Sequence, residues 1–131
     1  KDAIEFYKLA FGATEVFRLN TPTGDIAHAE IKIGDSLLML AESSADSPMP
    51  SPDTLGGSTF AIHLYVEDVD SFFEQAIDAG ALDIKSVEDQ FYGDRMGTLK
   101  DPFGHIWFVS THKEDLTPEA IRKRAEALYS T

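Results

Sequence analysis

Cysteine is absent from this chain of 131 residues. Its absence excludes disulfide bonds, thiolate metal ligands and cysteine nucleophiles. Long apolar runs are absent too, because no stretch approaches the roughly 20 residues that a membrane-spanning helix requires. The sequence also has no signal-peptide pattern. From these absences we expect a cytoplasmic protein that has no disulfide framework.

Basic residues are scarce. Lys and Arg together number 11 against 23 Asp and Glu, which gives a formal net charge of −12 at pH 7. A surface this acidic repels nucleic-acid phosphates and anionic lipid headgroups, so we expect neither a nucleic-acid nor a membrane partner. Hydrophobic residues make up 43% of the chain, which is enough for one packed core.

The two halves of the chain repeat each other. A helix-like segment precedes Gly12-Ala13 in the first half and Gly80-Ala81 in the second, and residues 34–38 align with residues 104–108. A strand is predicted just before the second helix, and its counterpart in the first half would lie before the first residue. We therefore expect either that residues precede Lys1 in the native protein or that a partner subunit covers the open sheet edge.

Apolar periodicity predicts helices over 2–11 and 69–79 and a last helix that starts at Pro118. Strands are predicted over 14–19, 26–33, 36–41, 60–66, 82–87, 96–100 and 106–111. Each repeat is therefore a βαβββ module, and the fold class is α+β. The helices need a sheet face on which to bury their apolar stripes, so we expect a cupped mixed sheet with the helices on its convex face.

The segment 43–58 is rich in serine, proline and glycine, and we interpret it as a linker between the modules. A lid over a ligand is the alternative. The chain then divides into a first module at 1–42, which lacks its opening strand, the linker, a second module at 59–112 and a helical tail at 113–131.

Alternation along the strands places polar and aromatic side chains on the face away from the helices. This face is too polar to be a core, so we expect a ligand cleft there. The candidate catalytic residues are His28, Glu30 and His63. The candidate substrate-binding residues are Tyr65, Tyr92, Arg95 and Phe108.

Several of these candidates have a second interpretation. His28 and His63 would serve as an acid/base pair, or they would act only as hydrogen-bonding groups. Arg95 would hold a carboxylate or phosphonate group, or it would form a surface salt bridge. His112 lies near the tail, where it would reach a dimer partner.

Three stretches of the second half carry a family resemblance. They are Asp89–Arg95, Asp101–Trp107 and Thr111–Asp115, and the segments 4–13 and 28–31 fit the same pattern. Together they resemble the vicinal-oxygen-chelate superfamily of glyoxalase I, bleomycin-resistance proteins, fosfomycin-resistance transferases and extradiol dioxygenases. Within it, the chain is most similar to PhnB-like, glyoxalase-related proteins. The resemblance implies paired βαβββ modules that form a cupped sheet, commonly in a homodimer.

The resemblance also bears on a metal. Metal-dependent members take ligands from the first and last strands of each module. Three such positions align with Leu38, Ala61 and Phe108, and none of these side chains can bind a metal. The usual divalent site is therefore expected to be lost. The alternative is a displaced site for iron, manganese or zinc, formed by His28, Glu42 and His63.

These observations predict a protein that binds a small polar organic molecule in a cupped cleft. If it is an enzyme, the resemblance implies lyase, isomerase or oxygenase chemistry that uses a metal or an acid/base pair. One alternative is a non-enzymatic protein that sequesters a drug or antibiotic between two subunits. Another is a structural dimer whose cleft is vestigial.

Overall fold

A computed structural model describes residues 2–44 and 48–130 of the protein. The helices are α1 (Asp2–Phe11), α2 (Pro52–Leu55), α3 (Val69–Ala79) and α4 (Pro118–Tyr129). The strands are β1 (Thr14–Asn20), β2 (Ile26–Ile33), β3 (Ser36–Leu40), β4 (Ala61–Tyr65), β5 (Leu82–Asp89), β6 (Asp94–Lys100) and β7 (Ile106–His112). This α+β order confirms the predicted fold class.

Short-range sequence signals set the helix boundaries. The Asp68 carboxylate accepts a hydrogen bond from the backbone N–H of Ser71 and caps α3, and Thr117 caps α4 in the same way. Proline at the first helical position favours the start of both α4 and α2. The short helix α2 lies within the segment predicted as a linker, and residues 45–47 of that segment lie outside the described residues.

The strands form two sheets. The first has the order β1-β2-β3, and the second has the order β4-β7-β6-β5. In the second sheet β4 pairs with β7 in parallel, and the other pairs are antiparallel, which completes one βαβββ module. In the described part of the chain, β3 and β4 each lie at the end of their sheet. The prediction of an opening strand for the first module is not tested by this arrangement.

One hydrophobic core joins the two modules. The ring of Phe11 in α1 stacks on Phe72 of α3 at a centroid distance of 5.4 Å, and it lies 4.7 Å from the ring of Trp107 in β7. Trp107 is 1% exposed, and it alternates in phase with the buried Val109 along β7. Helix α1 therefore packs on the second module as well as belonging to the first, and the halves cannot separate without exposing these rings.

The Asp101-Pro102-Phe103-Gly104 turn is fixed by a buried carboxylate. Asp101 is 3% exposed and accepts hydrogen bonds from the Tyr7 hydroxyl at 2.6 Å and from Nε1 of Trp107 at 3.0 Å. It also accepts backbone N–H bonds from Phe103 and His105. Burial, together with this carboxylate, raises the pKa of Tyr7 far above its ordinary value. The turn therefore ties α1 to the second sheet.

Candidate functional site

The second sheet has one apolar and one polar face. Its apolar face carries Leu99, Trp107 and Val109, which are buried, and it packs against α3. Strand pairing places Tyr65 beside Ser110 and Asp94 beside His112 on the opposite side. We call this side the polar face of the second sheet. Its members are His63, Tyr65, Asp94, Phe108, Ser110 and His112.

A buried carboxylate organises this polar face. Asp94 is 5% exposed and accepts a hydrogen bond from the Tyr65 hydroxyl at 2.7 Å through one oxygen. Its other oxygen lies 2.9 Å from Nδ1 of His112. The hydrogen bond to Asp94 is the main reason that the pKa of Tyr65 is raised, with burial as the second cause. Tyr65 therefore keeps its proton at neutral pH.

His112 lies between two carboxylates. Its Nε2 is 2.6 Å from an oxygen of Asp115, while its Nδ1 faces Asp94. Both partners accept hydrogen bonds, and a neutral imidazole has only one N–H to donate. The geometry therefore suits the imidazolium form, and Asp115 followed by Asp94 raises the pKa of His112. The pair with Asp115 also fastens the start of the tail to the sheet.

His63 is held by its neighbours on the same face. Its Nε2 lies 2.8 Å from the hydroxyl of Ser110, which is fully buried. Its ring stacks on Tyr65 at 4.7 Å and meets the edge of Phe108 at 5.9 Å. These contacts bring three of the predicted site residues together and give the face an aromatic surface beside its polar groups.

Tyr92 also belongs to this neighbourhood. Its hydroxyl lies 3.4 Å from the sulfur of Met96, which pairs with Ser110 across the sheet. Burial raises the pKa of Tyr92, and the charge of Asp94 adds to the effect. The structure thus places Tyr92 at the rim of the polar face.

Arg95 has a different environment. Its guanidinium contacts both carboxylate oxygens of Asp70, at 2.8 and 2.9 Å, and an oxygen of Asp89 at 3.2 Å. Asp70 belongs to α3, so this ion pair lies on the helix side of the sheet. Of the two interpretations of Arg95, the structure shows the surface salt bridge. The positive charge of Arg95 is already balanced by the carboxylates of Asp70 and Asp89.

His28 and Glu30 lie in the first sheet. Nε2 of His28 is 3.6 Å from a carboxylate oxygen of Glu30, and its ring centroid is 6.3 Å from that of Phe17. Across residues 2–44 and 48–130, no hydrogen bond or ion pair joins this pair to His63. The predicted acid/base group is therefore split between two sheets.

The same geometry bears on the two metal interpretations, the superfamily's usual site and the displaced site. Ala61 and Phe108 occupy two positions that the resemblance assigns to ligands, and Phe108 directly faces His63 across the β4–β7 pair. Neither has a donor atom, so the residues present do not fit the superfamily's divalent ion. Among the described residues, no three His, Asp or Glu side chains form a group that could hold a metal. The displaced site of His28, Glu42 and His63 is not assembled.

A cleft of about 910 Å³ adjoins the polar face. The edge strand β4 and the start of β3 border it, and the stacked rings of Phe11 and Phe72 line it. Tyr65 and His112 contribute side chains from the polar face. Both predicted site residues on β4, His63 and Tyr65, line this cleft.

Sequence reasoning did not select Asp94, Ser110 and His112 as site residues. The strand was predicted to start at Met96, which left Asp94 in a turn, whereas β6 starts at Asp94. Ser110 and His112 alternate in phase with Phe108 along β7. That period of two was a signal in the sequence that would have found them.

The protonation of His112 gives a testable pH dependence. Its raised pKa means that the folded state binds this proton more tightly than the unfolded state. The resulting stabilisation is fully present below the unfolded pKa of about 6.5 and is lost as pH rises through the folded pKa. We expect imidazole NMR to show titration above 6.5, with Asp115→Asn lowering the midpoint and Asp78→Asn leaving it unchanged. A midpoint at or below 6.5 contradicts the doubly bridged arrangement.

No helix in the described part of the chain is long and apolar enough to cross a membrane. A curated Mycobacterium bovis protein, Mb0911c, is 37% identical and matches 92% of this chain and 81% of its own length. The crystal structure of the Arabidopsis thaliana gene product At5g48480 is 29% identical, with a TM-score of 0.65, and covers 83% of this chain and 85% of that chain.

The PhnB protein of Bacillus cereus, described as a putative 3-demethylubiquinone-9 3-methyltransferase, covers 84% of this chain and 88% of its own. It has a TM-score of 0.62 at 16% identity, so this likeness concerns the fold alone. A family model matches residues 1–109. The chain therefore belongs to the Glyoxalase/Bleomycin resistance protein/Dioxygenase superfamily.

Proposed function

We propose that this protein binds a small polar organic molecule at the polar face of the second sheet, without a protein-held metal at the superfamily's usual positions. The observation that carries the proposal is the Tyr65–Asp94–His112 cluster at the border of a 910 Å³ cleft. A cleft of this size accepts a molecule of ordinary metabolite or drug dimensions.

The energetics of the cluster support a binding role. A carboxylate that is 5% exposed, such as Asp94, loses most of its hydration and must be compensated by hydrogen bonds. An apolar side chain would be a less costly way to cover a sheet. The cluster keeps polar groups in fixed positions beside the rings of His63 and Phe108, and that combination orients a guest molecule.

The apolar residues at the usual metal positions favour a binding protein, such as one that sequesters a small molecule, over a metal-dependent enzyme. A proton-transfer enzyme is the second candidate. It is favoured by one observation, the continuous contacts from Asp115 through His112 and Asp94 to the Tyr65 hydroxyl. Such a series of hydrogen-bonded side chains can hold a proton close to a bound molecule. The homodimer and the cytoplasmic location remain predictions.

Ligand-induced stabilisation tests the binding proposal. A compound library is screened for a rise in melting temperature, and each hit is titrated against wild type and Tyr65→Phe. A ligand present at 100 times its Kd stabilises the folded state by about 2.7 kcal/mol. Because Tyr65→Phe removes a hydroxyl at the cleft, we expect it to weaken binding about tenfold, through the loss of a hydrogen bond of roughly 1.4 kcal/mol.

Tyr129→Phe is the matched control, because Tyr129 is 76% exposed on α4 and is not among the residues that line the cleft. Binding to this variant should equal that of wild type. Metal content by mass spectrometry accompanies the screen. One equivalent of tightly held metal per chain, or hits that bind Tyr65→Phe as well as wild type, would contradict the proposal.

A further inference from the structure

Most side-chain hydrogen-bond donors of the polar face are already engaged inside the protein. The Tyr65 hydroxyl has one proton. It donates this proton in a hydrogen bond of 2.7 Å to Asp94, which only accepts. Both ring nitrogens of His112 face carboxylates, those of Asp94 and Asp115. The hydroxyl of Tyr92 faces the sulfur of Met96. One ring nitrogen of His63 faces the Ser110 hydroxyl, and in the described part of the chain its other nitrogen has no hydrogen-bond partner. A guest molecule therefore finds few free side-chain donors on this face.

The acceptors, in contrast, have capacity left. After donating its proton, the Tyr65 oxygen still has lone pairs, and this side chain is exposed enough to meet a guest, since the residue is 60% exposed. Glu67 and Asp35 line the same cleft, and neither lysine nor arginine lines it in the described part of the chain. His112 is the cationic group of the lining, and its charge is already paired with Asp94 and Asp115. The polar lining thus offers oxygen acceptors and negative charge.

Apolar groups complete the lining. The half-buried Phe72 lines the cleft together with Phe11 and Ile33, which are 4% and 6% exposed. The exposed ring of Tyr65 adds an aromatic face, and such faces attract cations as well as flat apolar groups. A fitting molecule therefore combines a positively charged donor group with an apolar or aromatic body.

We infer that the guest of this site is a small organic cation, a protonated amine or guanidinium joined to an apolar body. The inference rests on the proposed function, since it names the class of molecule bound at the same site. The cationic N–H groups donate to the Tyr65 oxygen and to the Glu67 carboxylate, and the body packs against the rings. The net charge of −12 also raises the local concentration of such a cation.

Three probes that share a phenyl ring test this inference: phenethylammonium, the neutral 2-phenylethanol and the anionic 3-phenylpropionate. Each is titrated into the protein while its backbone amide spectrum is recorded by NMR. We expect phenethylammonium to bind at least tenfold more tightly than the alcohol, the anion to bind most weakly, and the amides of Tyr65, Glu67 and His112 to shift. Raising NaCl to about 0.5 M should weaken binding of the cation and leave that of the alcohol nearly unchanged.

Glu67→Gln should weaken phenethylammonium binding about fivefold, whereas Glu74→Gln, which removes an exposed acid on α3, should have no effect. Equal binding of all three probes, or tighter binding of the anion, overturns the cation inference but leaves the proposed binding function intact. No shift at the polar face with any probe at millimolar concentration also overturns the cation inference, and if the library screen likewise yields no ligand, the proposed binding function is overturned as well.

Discussion

Replacing Asp101 with alanine is expected to lower the free energy of unfolding by about 4 kcal/mol. The substitution leaves the Tyr7 hydroxyl, the Trp107 indole N–H and two backbone N–H groups without their shared acceptor. A buried donor without a partner costs about 1–3 kcal/mol. Domains of this size are stable by about 5–15 kcal/mol, so the loss is a large fraction of the total.

Urea denaturation measures this effect, and the fluorescence of the protein's own tryptophan follows the unfolding. Trp107 is the single tryptophan, it is 1% exposed, and it donates directly to Asp101. Its fluorescence therefore reports both unfolding and any change in the packing of α1. Asp101→Asn keeps one acceptor oxygen and should lose less stability than Asp101→Ala.

Asp78→Ala is the control, because Asp78 is an exposed acid on α3, and we expect a change within about 0.5 kcal/mol. If Asp101→Ala also stayed within that range, the carboxylate would not be the link between α1 and the second sheet. The α1–α3 contact would then have to hold the modules together without it.

The second large effect is expected at Gly93, in the turn between β5 and β6. Its φ of +98° is strained for any residue with a side chain, and a Cβ built there would lie 2.6 Å from the carbonyl oxygen of Glu114. The obstacle is backbone, so it cannot rotate away. We expect Gly93→Ala to lower the free energy of unfolding by about 3 kcal/mol, from the backbone strain and the clash together.

Gly24→Ala separates these two causes. Gly24 has a similar φ of +91°, but a Cβ there meets nothing within 4 Å. It should therefore show the strain alone, about 1 kcal/mol. If both variants lost the same free energy of unfolding, the clash with the Glu114 carbonyl would not contribute to the destabilisation.

Gly93→Ala has a local signature as well. The Gly93 carbonyl accepts hydrogen bonds from the backbone N–H groups of Lys113 and Glu114, both at 2.9 Å. We expect hydrogen exchange of these two amides to accelerate in the variant. Since Asp115 follows them and contacts His112, this turn also helps to position the carboxylate that completes the polar face.

The sequence by itself determined the order of the elements and their module pattern. Apolar spacing predicted α1 and α3, and Pro118 was correctly predicted as the start of the last helix, because these signals act over a few residues. Motifs such as Asp101–Trp107 also carried the superfamily resemblance that the family model confirms. Alternation on β4 correctly put His63 and Tyr65 on one face.

Only the tertiary structure decided which candidates meet. Asp94 joins Tyr65 and His112 because β6 and β4 both flank β7, and that strand order depends on contacts between residues far apart in sequence. For the same reason, pattern alone left Arg95 with two interpretations until α3 placed Asp70 beside it. His28 has the residue type of a site histidine, but its strand belongs to the other sheet.

The physical reason for this division is the range of the interactions. Helix caps, alternation and turn glycines depend on neighbours within about one turn or one strand, so a single sequence displays them. A site depends on strand order, register and packing of helices on sheets, which arise from the collapse of the whole chain around one core. Here that core placed the Tyr65–Asp94–His112 cluster together and kept His28, Glu42 and His63 from forming a common site.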